Sequence, residues 1–164
     1  MNKNLRTIDK SLKIFLSIYI IVITIGVTIG LSFVRLTTSM TPKGTIERFK
    51  GSEDVENSDF EIKENYPKPI SEMLLTTHNH ILGLSFIFLS IGLIFYFNSI
   101  IKGFWKTILM IEPLISVVVS FGSIWLMRFV HQDFVYLTII SAILMYLSFY
   151  IMAFVSLLDL RKTF

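Results

Sequence analysis

The chain has 164 residues, a length that fits one domain. Hydrophobic residues make up 53% of it and charged residues 16%, whereas soluble domains carry about 25% charged residues. This balance excludes an ordinary soluble core and is typical of a polytopic membrane protein. The absence of cysteine excludes disulfides, covalent c-type haem and thiolate metal sites. The net charge of +3 is small and unevenly placed, so it indicates membrane topology and not nucleic-acid binding.

The first apolar run covers residues 14–34 and follows a basic segment, residues 1–13. At 1.5 Å per residue the run is about 30 Å long, which is the thickness of the hydrocarbon core of a bilayer. It is longer than the apolar part of a typical signal peptide, and no small-x-small cleavage site follows it. We therefore predict an uncleaved transmembrane helix. Gly26 and Gly30 form a small-xxx-small pair that favours close packing against another helix.

An outer loop over residues 35–70 is the only long polar segment. Thr41 and Pro42 form a good N-cap and first-turn pair, and Gly51 suits a helix C-terminus. The loop therefore predicts a short amphipathic helix at the membrane surface, followed by an acidic, solvated stretch. Ser71 is expected to cap the next helix.

Three further apolar segments predict transmembrane helices over residues 71–101, 107–127 and 134–158. Because the links between them are short, consecutive helices should be antiparallel neighbours. The predicted fold is therefore all-α, an integral membrane domain over residues 1–164 built as an up-down-up-down four-helix bundle.

The charges predict the orientation of this bundle. The side with both termini and the 102–106 link carries eight basic residues and two acids, and the other side carries seven basic residues and nine acids. Because short basic segments remain in the cytoplasm, we expect both termini there, in the inner membrane of a bacterium, and the long loop outside.

This threading places all three histidines on the outer side, namely His78, His80 and His131, together with Arg128. Residues two apart on a helix point about 200° from each other, so His78 and His80 cannot bind one small ion from a regular helix. Gly83, on the His80 side, leaves room for a flat macrocycle. This favours His80 as a ligand and His78 as its neighbour.

Three interpretations of the histidines remain open. The first is haem b, with His80 as one axial ligand, His131 or His78 as the other, and Arg128 paired with a propionate. The second is a copper or zinc site formed by His131, His78 or His80, and either Asp133 or a methionine such as Met73. The third is that no cofactor binds and the imidazole rings lie at headgroup depth.

Glu112 is the one charge within the third apolar run and precedes Pro113. One interpretation is a proton-relay carboxylate beside a bent helix. The alternative is an acid near the interface that pairs with Lys106. No glycine-rich phosphate loop, H-E-x-x-H motif or nucleophile elbow is present in the sequence.

Three sequence pieces resemble a family of small, largely uncharacterised bacterial inner-membrane proteins. They are Thr41-Pro-Lys-Gly-Thr-Ile-Glu-Arg-Phe-Lys-Gly51, then Tyr-Pro-Lys-Pro before Leu-Leu-Thr-Thr-His78-Asn-His80, and then Gly-Ser-Ile-Trp125-Leu-Met-Arg128. The resemblance covers about residues 40–130. Such proteins are associated with gene neighbourhoods for multihaem cytochromes and respiratory electron transfer. The resemblance implies that His78 and His80, in its Thr-His-x-His core, and Arg128, at the end of the third piece, belong to the family's motif.

Two functions from different classes follow from the sequence. The first is a redox-associated subunit that binds haem b near the outer face and passes electrons between the quinone pool and a periplasmic cytochrome or other carrier. The second is a non-catalytic accessory or assembly subunit of a larger respiratory complex, or of a homo-oligomer. A histidine-based metal sensor is a third alternative.

Overall fold

The structure is a computed structural model that describes residues 4–52 and 66–162. The described residues form five α-helices and no strands: α1 Lys10–Thr38, α2 Pro42–Lys50, α3 Ile70–Tyr96, α4 Phe104–Phe129 and α5 Phe134–Arg161. All but α2 are long and apolar enough to cross a membrane. The predicted all-α fold with four membrane-spanning helices is confirmed. The predicted acidic, solvated stretch falls mostly on residues 53–65, outside the described residues.

The long first helix begins and ends beyond its apolar run. The Asp9 side chain caps its start by accepting from the Leu12 N–H at 2.9 Å. Its end is marked by two consecutive residues with positive φ, Ser39 at 50° and Met40 at 53°. This left-handed pair turns the chain directly into α2.

The short helix α2 confirms the predicted surface helix with its predicted ends. The Thr41 hydroxyl accepts from the Gly44 N–H at 3.0 Å, Pro42 occupies the first turn, and the Gly51 N–H donates to the Glu47 carbonyl at 3.0 Å. Phe49 is the buried apolar residue of α2, so this helix packs one face onto the bundle.

Both ends of α3 differ from the sequence prediction. The helix begins at Ile70 after Pro69, with no side-chain cap, so the prediction that Ser71 caps it is wrong. It ends at Tyr96 and not at Ile101, because Asn98 turns the chain. The Asn98 side-chain oxygen accepts from the Ile100 and Ile101 N–H groups at 3.0 and 2.8 Å.

Hydrogen bonds between helices show that the four long helices alternate in direction. They join Tyr19 to Ser90 at 2.7 Å, Thr28 to Tyr150 at 2.9 Å, Thr77 to Trp125 at 3.0 Å and Ser123 to Thr138 at 2.7 Å. The bundle therefore has two distinct ends. The terminal end holds the start of α1 and the end of α5, and the loop end holds α2.

A buried carboxylate closes the terminal end. Asp159 on α5 is 0% exposed and accepts from the Arg6 Nε at 2.7 Å. It also accepts from the Ser99 N–H at 2.6 Å and from the Ser99 hydroxyl at 2.8 Å. One side chain thus joins the segment before α1, the link between α3 and α4, and the end of α5.

The apolar core of the bundle is divided. A large cluster fills the terminal half, and a small one at the loop end consists of Phe49, Met73, Ile124, Met127 and Val135. On α3 no side chain between Met73 and Phe88 is buried, and on α1 none between Val27 and Thr38. Buried residues continue along α4 and α5 through the same level. On α3, Ile81, Leu84 and Ile87 are half-buried and pack against the large cluster. We call the level of residues 28–37 of α1 and 74–87 of α3 the loop-side level.

Replacing Asp159 by Ala should destabilise the protein by about 2–3 kcal/mol, since Arg6 and the Ser99 N–H would lose a charged hydrogen-bond acceptor. The free energy of unfolding in a denaturing detergent titration measures this. Asp133→Ala is the matched control, because its carboxylate is exposed and should change stability by no more than about 0.5 kcal/mol. Equal losses in the two variants would contradict the role of Asp159.

Replacement of Gly44 and of Gly83 by Ala should have opposite effects on thermal stability. A Cβ on Gly44 would lie 2.2 Å from the Thr38 carbonyl oxygen, so Gly44→Ala should push α2 away from the end of α1 and lower the melting temperature. A Cβ on Gly83 would meet nothing within 4 Å. Gly83→Ala should be neutral or stabilise by up to about 1 kcal/mol, because Ala loses less backbone freedom in a helix. Thermal unfolding of both variants tests this contrast.

Candidate functional site

The three sequence pieces that carry the family resemblance meet at the loop end. The Lys68 N–H donates to the Phe49 carbonyl at 3.2 Å, which joins the segment before α3 to α2. The Arg128 guanidinium, at the end of α4, donates to the Lys68 carbonyl and to the Met73 sulfur, the latter at 2.8 Å. Trp125 Nε1 donates to the Thr77 hydroxyl at 3.0 Å. These contacts fasten the start of α3 to both α2 and α4.

Arg128 links the end of α4 to the start of α3. One guanidinium nitrogen donates both to a backbone carbonyl and to a buried thioether, and the guanidinium lies 5.1 Å from the Phe129 ring centroid. Met73, a candidate metal ligand in the sequence, is 2% exposed and is engaged by Arg128. The predicted contact between Arg128 and a propionate remains a prediction.

His80 lies on the inward stripe of α3 but is exposed. At 100° per residue, Met73 and Ile91 lie within about 20° of His80 around the helix axis, and both are buried. The His80 ring centroid is 5.2 Å from that of Phe121 on α4, at an interplanar angle of 35°. His80 therefore faces α4 at the loop-side level, beside Phe121, which packs against both apolar clusters.

The hydrogen bond of His80 determines its tautomer. Its Nδ1 lies 2.8 Å from the Thr76 carbonyl oxygen, which can only accept. Nδ1 therefore carries the proton, and in the neutral ring Nε2 presents a lone pair. This is the arrangement that metal-binding histidines use, with one nitrogen held by a carbonyl and the other free to ligate.

The length of α3 gives a depth for His80 in the case of a helix centred in the bilayer. Helix α3 has 27 residues and is about 40 Å long, against about 30 Å for the hydrocarbon core. His80 comes ten residues after Ile70, about 15 Å along the helix. If the helix is centred in the bilayer, His80 lies about 10 Å inside the hydrocarbon.

The other two histidines do not join His80. His78 is exposed and points about 200° away around α3. His131 follows Phe121, the neighbour of His80, by ten residues, which is about 15 Å along a helix. Two ligands on opposite sides of one metal lie only about 4 Å apart, at about 2 Å each. Within residues 4–52 and 66–162, no group of three or more His, Cys, Asp or Glu side chains could hold a metal ion.

His131 is occupied with Asp133. Its Nδ1 lies 3.3 Å from the Asp133 carboxylate and accepts from the Asp133 N–H at 3.3 Å. Its side chain is 67% exposed. His131 is therefore an exposed side chain that lies against Asp133 in the turn before α5.

Glu112 lies on α4, away from the His80 site. Its Oε1 accepts from the Ser116 hydroxyl one turn later, and its Oε2 is buried with no partner within the described part of the chain. Lys106 donates to the Tyr96 and Asn98 carbonyls at 2.6 and 2.9 Å and does not pair with Glu112. The interpretation of Glu112 as an acid near the interface stays a prediction. Glu112 precedes Phe121 by nine residues, or about 13 Å, so it is not part of the His80 site.

Sequence reasoning missed two polar features. The first is the buried carboxylate of Asp159 with its partners Arg6 and Ser99. In the sequence it is visible as an acid at the end of an apolar run. The second is a seam of small hydroxyl residues between α4 and α5. Ser116, Ser120 and Ser123 recur on one face of α4, and Ser123 bonds Thr138 on α5. Small side chains allow close helix approach in membranes, and their spacing was visible in the sequence.

The fold and this polar pattern define an integral membrane protein built on four apolar helices. Residues 39–163 match the Aq_1264_TM family, a transmembrane helical domain, and the chain belongs to this family. The match begins just before α2 and extends to the end of α5, so it includes the loop-end contacts and His80. No curated protein and no solved structure matches the chain.

Proposed function

We propose that the protein is a redox-associated membrane subunit that binds haem b through His80 and passes electrons between the quinone pool and an extracytoplasmic carrier. The observation that carries the proposal is His80 itself. It presents Nε2 as a lone-pair donor on an apolar helix long enough to span a membrane, and ionisable side chains within such segments are rare and mostly functional. Haem bound there would supply a one-electron carrier whose potential depends on its axial ligand and on burial.

The surroundings of His80 support a flat, apolar ligand. The Thr76 carbonyl holds the imidazole at Nδ1, and Phe121 packs beside it. Gly83 and Gly122 face open space, because a Cβ on either would meet nothing within 4 Å. These residues of the chain orient the ligand nitrogen and leave room on the membrane-facing side.

The proposal assigns this chain one histidine ligand, His80. His78 points away from His80 around α3, and His131 comes ten residues after Phe121 along the chain. A copper or zinc ion is supported less well, because such ions need three or four protein donors and the described residues contain no group of three His, Cys, Asp or Glu side chains that could hold one.

The first prediction of this proposal is spectroscopic. Protein purified in detergent after expression with ample haem should show a haem absorption spectrum that changes on reduction with dithionite. His80→Ala should lose it, because the imidazole is the proposed ligand. The matched control is His78→Ala, two residues away on the opposite face, which should keep the spectrum.

The two variants separate the outcomes. Loss of the spectrum in both would show that the mutations act through folding, which circular dichroism at equal protein concentration detects. A colourless wild-type protein would overturn the haem proposal and favour the second candidate function.

That second candidate is a non-catalytic accessory or assembly subunit. It is favoured by α1, of whose most apolar stretch only 11% is buried, against 28–39% for the other three long helices. A Cβ on Gly26 or Gly30 would meet nothing within 4 Å. This face of α1 could receive a helix of a larger complex or of a second copy, and co-purification of a stoichiometric membrane partner is the observation that tests it.

We also propose that both termini are cytoplasmic, in a bacterial inner membrane. The excess of basic residues at the terminal end supports this orientation. Since the chain has no cysteine, Tyr66→Cys and Lys102→Cys provide single exposed labelling sites at opposite ends. A membrane-impermeant maleimide should label Tyr66→Cys in intact spheroplasts and Lys102→Cys only after lysis. The reverse pattern would invert the orientation.

A further inference from the structure

Two cations share one aromatic ring at the loop end. The Arg48 guanidinium carbon lies 5.8 Å and the Lys68 ammonium nitrogen 5.6 Å from the centroid of Phe49. Arg48 also lies 5.0 Å from the ring centroid of Phe33 on α1. We call Arg48 and Lys68 the Phe49 cation pair. The two cations lie with Phe49 and Phe33 at the corner between α1, α2 and the segment before α3.

Within residues 4–52 and 66–162, the two positive charges of this pair have no matching anion. Among the described residues, no carboxylate lies within 4.0 Å of Arg48 or Lys68, and the nearby Glu47 pairs with Lys43 at 3.7 Å. Lys68 donates only a long hydrogen bond, 3.4 Å, to the Thr76 hydroxyl. Burial lowers the pKa of the Arg48 guanidinium, which reports that water has been removed from a group with five hydrogen-bond donors.

The position of the pair is that of the lipid headgroups. Helix α1 has 29 residues and is about 43 Å long, so its last turns extend past a hydrocarbon core of about 30 Å. Phe33 is in the second-last turn of α1, and Arg48 lies on its ring. The cations therefore lie near the boundary where hydrocarbon meets phosphate.

We infer that the Phe49 cation pair binds the phosphate of an anionic phospholipid. Arg48 supplies a planar fork that matches phosphate geometry and Lys68 a point charge. Phe33 is exposed beside them, which offers apolar surface to the acyl-chain side of the same lipid. Basic residues near a membrane surface gain about 1 kcal/mol each from anionic lipid, and two that converge on one ring can act on one headgroup. This inference is independent of haem at His80.

The experiment measures phosphatidylglycerol bound to the full-length protein. Wild type, Arg48→Gln, Lys68→Gln and Lys43→Gln are purified in a neutral detergent and titrated with dimyristoyl phosphatidylglycerol, dimyristoyl phosphatidylcholine or inorganic phosphate. The readouts are the melting temperature and the lipid-bound fraction in native mass spectrometry. Lys43→Gln is the matched control, because Lys43 is an exposed cation of the same helix and already has a carboxylate partner.

We expect Arg48→Gln and Lys68→Gln each to weaken phosphatidylglycerol binding by about fivefold, with Lys43→Gln unchanged. Phosphatidylcholine should bind more weakly to the wild type. Equal binding of the two lipids, or equal weakening in all three variants, would overturn the site. Stabilisation by inorganic phosphate to the same extent would assign the pair to a free anion and not to a lipid. Should Arg48→Gln fail to fold, Lys68→Gln alone decides the outcome.

Discussion

The carboxylate of Asp159 is the contact on which the closed end of the bundle depends. It is fully buried and is satisfied by Arg6 and by both the backbone and the hydroxyl of Ser99. A buried charge is tolerated only when it is paired and hydrogen-bonded. Burial of Asp159 therefore requires that the segment before α1 and the link between α3 and α4 both pack against the end of α5. In a bilayer the hydrophobic effect does not press helices against each other. The hydrogen bonds of Asp159 therefore hold the helices together at the terminal end.

The packing of the four helices differs along the bundle. The seam of small hydroxyl residues lies between α4 and α5, whereas α1 and α3 have exposed or half-buried side chains at the level of His80. On α3, Ile81, Leu84 and Ile87 still pack against the large cluster. Beyond this level, Arg128, Trp125 and Phe49 join the helices again at the loop end.

This architecture explains why His80 differs from the other histidines. His78 and His131 are exposed side chains, the first on the outer face of α3 and the second in a turn with Asp133. His80 alone combines an inward direction, a fixed tautomer and free space, because a carbonyl of its own helix holds Nδ1 and glycines flank it. The Phe49 cation pair, at the headgroup boundary, is a separate polar feature with a different chemistry.

The sequence by itself determined the four spans, their alternating directions and the surface helix α2, because each depends on local features: the length of an apolar run, a short link, or the caps Thr41 and Gly51. Helical periodicity also favoured His80 over His78 as a ligand, which stays a prediction. The sequence could not place Ser71, which lies inside the first turn of α3, or the end of that helix at Tyr96. Only the tertiary structure decided that Arg6 meets Asp159 and that Arg128 is held by Lys68 and Met73. Arg6 and Asp159 are 153 positions apart and Arg128 and Lys68 are 60 apart. Contacts at such separations depend on how helices rotate and slide against each other, which no local pattern specifies.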